Sequence, residues 1–375
     1  MDQTSKRLNR YNYYIVVLML ASAILGSTIF GTFQVICEII LFVLLINGVF
    51  HIKLNRLDIL LLSTFLIISM FSLLRNSFID FALNFKIYGL FVFTLVYFRK
   101  LYFYPRNLIR ILHISNFILV FHQFITGHFV VESAWFFGDY KGYANDRPVG
   151  VFLVPHVSAF FIAVYVIYII RVNKAYARSL FFLILLFMIS SLTSTVALFV
   201  QLSQQVLDFL ANKLNFLKIN IGWSVKLVLI FVPILFLSIY SPELLEYLKA
   251  QGGYTRYYSL EILLNQFFDS RFFADIFDIV PRSYHTYLMQ QEKIFADFGN
   301  EIGLVKVFVE GGFILGLVTL FALISRLKYY NMFIFVTFLH YSFVINMPFM
   351  LYLIMMYNFQ IERYELEKKI EQSNN

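Results

Sequence analysis

Apolar residues run in stretches of about 18 to 22, each long enough to cross the ~30 Å hydrocarbon core of a bilayer as a helix. The pattern predicts spans at about 12–30, 33–50, 57–74 and 84–98, a fifth ending near Thr126 and a sixth at about 149–170. Between spans three and four an external turn is expected to hold Asp80. From Leu180 the apolar run is broken by Ser190-Ser191-Leu192-Thr193-Ser194-Thr195 and then continues to Leu210, which predicts two short spans joined at a polar turn. A ninth span is expected at about 223–240 and a tenth at 302–324. The last apolar stretch, 332–359, is too long for one crossing, and its His340, Asn346 and Pro348 predict a short helical pair turning near Asn346-Met347-Pro348. Two intervals, 127–148 and 241–300, remain as loops. The expectation is an all-α polytopic integral membrane protein of about 10–12 transmembrane helices. It forms a single membrane domain over 1–375, with a large external loop before the last spans.

Basic residues decide which ends of these spans face the cytoplasm. Lys6, Arg7 and Arg10 precede the first span; Lys53, the run from Arg99 and Lys100 through Arg106 to Arg110, and Arg171, Lys174 and Arg178 follow at alternate turns. Lys213, Lys218, Arg326, Lys328 and the tail with Arg363, Lys368 and Lys369 continue the series, so both termini are expected inside and both loops outside. The start of the chain mimics a signal peptide up to Ala21-Ser22-Ala23. Its apolar stretch continues to Phe30, so an uncleaved first span is expected.

Composition agrees with the pattern. Hydrophobic residues make up 60% and charged residues 14%, against roughly 25% charged in a soluble domain, and mean hydropathy is +0.75. A soluble enzyme, an alternating β-barrel and a single-pass anchor are excluded. The net charge of +8 would suit a nucleic-acid partner, but its carriers sit at span ends, so none is expected. Cys37 is the only cysteine, which leaves neither a disulfide nor a thiolate metal site. No DxD, HExxH, GxxxxGK[ST] or GxGxxG occurs, so neither metal nor cofactor is expected. The 46 Phe and 25 Tyr are read mainly as lipid-facing and interfacial residues rather than a binding surface.

Candidate chemistry falls in the two loops. The first ends Asn145-Asp146-Arg147-Pro148-Val149-Gly150-Val151-Phe152-Leu153-Val154-Pro155-His156. An arginine there holds phosphate oxygens with paired donors, and Gly150 allows close approach; the competing reading is an arginine snorkelling at a span end. The second loop carries Lys249, Arg256, Arg271, Arg282 and Lys293 against Glu243, Glu246, Glu261, Asp269, Asp275, Asp278, Glu292 and Asp297. Long translocated loops escape the topological bias, so these arginines need another explanation, part of which is pairing with the acids. His285, in Pro281-Arg282-Ser283-Tyr284-His285-Thr286-Tyr287-Leu288, is a candidate general base or orienter.

These residues resemble the bacterial O-antigen polymerases (Wzy) and the related O-antigen ligases. The resemblance rests on Arg147, Gly150, Phe152, Pro155 and His156; on Arg256 before Tyr257 and Leu260; on His285, Tyr287 and Leu288; and on Glu310-Gly311-Gly312-Phe313-Ile314-Leu315-Gly316. The acidic-glycine element aligns alternatively with Glu301-Ile302-Gly303, and the arginine that many relatives carry after the serine of the polar break is Thr195 here. The resemblance implies a GT-C-like glycosyltransferase of the bacterial inner membrane, joining undecaprenyl-diphosphate-linked oligosaccharide units at the periplasmic face, metal-independent and inverting. Its partners would be the lipid-linked substrate, the bilayer and a chain-length regulator protein. Arg147 and Arg256 would stabilise the leaving diphosphate, and His285 would serve the acceptor hydroxyl. Gly150, Pro155, His156, Arg271, Arg282, Glu301 and Glu310 would line the substrate. A carboxylate pair from the large loop is the other catalytic arrangement. Transfer to lipid A–core is the alternative reaction, and lipid-linked oligosaccharide transport the alternative class, weakened because Glu38 looks almost alone among acids within the spans.

Overall fold

The computed structural model describes residues 3–25, 31–75, 77–99, 103–128, 148–173, 175–189, 191, 194–205, 303–338, 345 and 347–374. Among them there is no strand. The helices are α1 (Gln3–Leu25), α2 (Gly31–Phe50), α3 (Arg56–Arg75), α4 (Phe78–Tyr97), α5 (Arg106–Thr126), α6 (Pro155–Tyr168), α7 (Tyr176–Ile189), α8 (Gly303–Arg326), α9 (Asn331–Phe338) and α10 (Pro348–Asn374), with a further helical stretch over 194–205. Six of them hold segments long and apolar enough to cross a membrane, and two shorter apolar helices, Phe81–Tyr97 and Ala177–Ile189, accompany them. The chain is an all-α polytopic membrane protein.

Spans two and three fall where the hydropathy pattern puts them. Others shift. The first span starts earlier, since α1 runs from Gln3 to Leu25. Asp80 lies inside α4, which begins at Phe78, rather than in a turn. The sixth helix starts at Pro155 and not near 149, because residues 148–154 form a non-helical turn. A proline at the first helical position loses no hydrogen bond and already has the helical φ. The ninth span and the 241–300 loop lie outside the described residues.

One end of the bundle gathers the starts of α1 and α3 and the ends of α2, α4 and α8. The Tyr11 hydroxyl donates to the Leu44 carbonyl at 2.5 Å, and the Tyr97 hydroxyl to Asn12 Oδ1 at 2.7 Å. Asp58, fully buried, takes Arg99 Nη2 at 2.6 Å and is also gripped by Arg326, so α3, α4 and α8 are locked together. The same carboxylate accepts the Asn55 N–H while Asn55 Oδ1 accepts the Asp58 N–H, each at 2.8 Å. That reciprocal pair caps the open N–H groups of α3. With Arg99, Arg171 and Arg326 at this end, it is the basic face.

The core centres on α6 and α10. Of the apolar window in α6, 72% is buried, against 28% for α1, α2 and α3; those outer helices carry large apolar side chains outward, Phe33, Ile39, Leu66 and Phe71 among them. The run Phe349–Tyr357 of α10 is buried throughout. Within the stretch 332–359, α9 covers the start and Pro348 opens α10, which runs on as an exposed charged extension; residues 339–344 and 346, where the turn is expected to begin, lie outside the described residues. The polar break near 190–195 also separates two helices. Phe182 lies level with Tyr165, their rings 5.0 Å apart. Gln201 Oε1 accepts the Phe333 N–H at 2.9 Å, and the Phe333 ring packs 5.0 Å from Phe160. A straight helix would carry Gln201 about 28 Å beyond Phe182, so the chain reverses at the break.

Candidate functional site

In the half of the bundle away from the basic face, the backbone descends before α6 into the space between α5 and α6. Four polar contacts pin it. The Val149 N–H donates to Gln123 Oε1 at 2.9 Å and the Val151 N–H to Asn116 Oδ1 at 3.0 Å. The Ser158 hydroxyl donates to the Val149 carbonyl, and the Leu153 N–H reaches the Gly150 carbonyl at 3.4 Å. Asn116, Gln123 and Ser158 are all buried. A non-helical backbone in an apolar interior must find such partners, because each unsatisfied group costs several kcal/mol (roughly 2–7). Asn116 and Gln123 lie seven residues apart on one stripe of α5 with His113 and Val120, all facing inward.

Gly150 and Leu153 both adopt positive φ, +62° and +57°. At Gly150 a Cβ would overlap Asn116 Oδ1 and lie 2.8 Å from Ser158 Oγ, so conformation and space both require glycine. The turn ends by burying Phe152, whose ring packs 5.2 Å from Phe161 and 6.0 Å from Phe349. Pro155 is buried where it opens α6, and His156 follows half-buried on its first turn.

Glu310 belongs to a second place, against α3 and α4. There α8 is broken at Gly312, with φ +70° and ψ +157°. A Cβ on Gly316 would lie 3.2 Å from the Val307 carbonyl, although nine residues of straight helix span about 13.5 Å. The two halves of α8 therefore fold sharply against each other, which the predicted single span 302–324 did not anticipate. The Tyr88 hydroxyl donates to the Val307 carbonyl at 3.0 Å, and Gly311 packs on the Tyr88 ring. Buried Glu310 faces a small cleft shared with Ser69, Ser72, Asn84 and Tyr88. Glu38 of α2 is paired across the bundle: Lys86 of α4 sits 2.6 Å from it, and Gln34 and Ser22 donate to its other oxygen at 2.7 and 3.0 Å.

Of the residues singled out from sequence, Gly150, Pro155 and His156 come together at the α5–α6 turn, and Glu310 stands apart from them beside α3 and α4. Arg147, Arg256, Arg271, Arg282, His285 and Glu301 lie outside the described residues. Sequence reasoning missed Asn116, Gln123 and Ser158. The available signal was two amides two helical turns apart in an otherwise apolar span. No protein-family model, curated protein or solved structure matches the chain.

Proposed function

We propose that the chain is a surface-polysaccharide polymerase of the O-antigen type in the bacterial cytoplasmic membrane. It lengthens glycan on undecaprenyl diphosphate, with both termini cytoplasmic and a chain-length regulator as partner. The acceptor hydroxyl oxygen attacks the anomeric carbon of the donor. The bond from that carbon to the diphosphate breaks, and undecaprenyl diphosphate leaves with the electron pair. Arg147 and Arg256 stabilise the charge gathering on the departing phosphate, and His285 takes the proton from the attacking hydroxyl. The donor carries its own leaving group, so the reaction needs no nucleotide.

One observation carries the reading: the backbone that directly follows Arg147 is fixed by Gln123, Asn116 and Ser158 around a glycine that admits no side chain. Three contacts fixing the backbone next to one arginine suit a site that must keep its geometry, since catalytic groups work within about 0.5 Å of their productive place. Purified chain supplied with undecaprenyl-diphosphate-linked repeat units lengthens them in EDTA without nucleotide. Strict dependence on added divalent ions or on nucleotide contradicts the mechanism.

A second reading, movement of lipid-linked oligosaccharide across the membrane, draws on the Glu38–Lys86 pair and the interrupted α8, since intramembrane charges and discontinuous helices recur in transporters. Flux of lipid-linked oligosaccharide into vesicles without lengthening would favour it.

A further inference from the structure

At the basic face, α5, α6, α7 and α10 line an open cavity of about 910 Å³ that the proposed glycosyl transfer does not use. Arg106, Arg110 and Arg178 line its mouth, with Tyr104 and Tyr168 beside them and His113 and Gln360 at its floor. Among the described residues these arginines make no ion pair, and no acidic residue lines the cavity. His113 is buried, its ring stacked on Phe161 at 4.3 Å and on Tyr165 at 3.8 Å, with Nε2 3.2 Å from the Tyr357 hydroxyl. Its other nitrogen, Nδ1, and the Gln360 amide nitrogen are buried with no hydrogen-bond partner among the described residues. Three guanidiniums with no ion pair among the described residues, gathered where no acid lines the cavity, describe a receptor for a phosphate, with planar donors for its oxygens.

The walls say what the phosphate is attached to. Ile114 and Phe181 line the cavity and are themselves exposed. Ile111, Ile118 and Phe121 on α5, and Leu180, Ile184 and Phe187 on α7, continue that exposed apolar surface along both helices. The opening therefore leads sideways along the helices into the bilayer. We propose that this cavity holds the phosphate headgroup of an anionic membrane lipid, whose acyl chains run down the α5–α7 surface. Basic pockets between spans are the usual receptors for such headgroups.

Native mass spectrometry of the full chain in detergent, titrated with a phosphatidylglycerol and with a phosphatidylcholine of the same chains, tests this without any variant. Selective retention of phosphatidylglycerol is expected, and equal retention of the two overturns the site. Arg106→Gln, Arg110→Gln and Arg178→Gln combined should weaken phosphatidylglycerol on the order of 100-fold, from about fivefold per arginine. A control with Arg363→Gln, Lys368→Gln and Lys369→Gln removes the same charge from the exposed tail and should leave retention unchanged. An equal loss in that control means bulk charge rather than a site. Inorganic phosphate at millimolar concentration should not displace the lipid. If it does so fully, the ligand is free phosphate and the lipid assignment fails.

Discussion

At the basic face a carboxylate, Asp58, is held between two guanidiniums; in the other half of the bundle, the turn at Gly150 is held by two amides and a hydroxyl. Both are buried polar knots joining elements distant in sequence. They use different chemistry because their surroundings differ. Arg99 and Arg326 keep 16% and 9% of their side chains exposed, so their charge retains some contact with the polar rim while neutralising a carboxylate that has none. At the second knot the groups to be answered are a backbone carbonyl and N–H groups, and neutral amides and a hydroxyl satisfy them without a charge to desolvate. The lesson is that the first knot locks helices, while the second shapes a stretch of backbone.

The difference can be broken from either side. Asp58→Ala should have the largest effect on stability, about 3–5 kcal/mol, because it leaves two arginines facing each other without a counter-ion; thermal unfolding in detergent reads it. A loss below 1 kcal/mol would mean the arginines escape to solvent and the lock is nominal. Gly150→Ala comes next, at about 2–4 kcal/mol, combining a left-handed backbone with overlap on Asn116. It should also abolish polymer formation in cells whose protein level is restored by lower growth temperature. Gln123→Ala is smallest, about 1–3 kcal/mol for one buried N–H left unanswered. Hydrogen exchange at Val149 should then rise while exchange in α3 and α4 stays unchanged.

Much of this architecture was legible in the hydrophobic pattern, and the misses share a cause. Hydropathy follows side chains, so it placed α2 and α3 well and could not see a backbone event. It carried a helix through Val149–Val154 and straight across Gly312, where φ of +70° ends one helix and starts another. Pairings across long separations were equally hidden. Lys86 lies 48 positions after Glu38, and Arg326 lies 268 after Asp58. Arg99 and Arg326 were read only as markers of orientation, although each also grips Asp58. At the candidate site Gly150 stood out beside an arginine and a proline, whereas the amides that pin it, Asn116 and Gln123, were passed over as ordinary residues of a span.

The polymerase proposed above requires the pinned turn to serve an arginine whose paired donors act on a phosphate. Arg147→Lys keeps the charge and removes the paired geometry, and the polysaccharide ladder of cells carrying it, at wild-type protein abundance, is the most direct reading. A ladder collapsed to single or very short repeats is expected. A ladder of full wild-type length would contradict it and return Arg147 to an ordinary snorkelling residue.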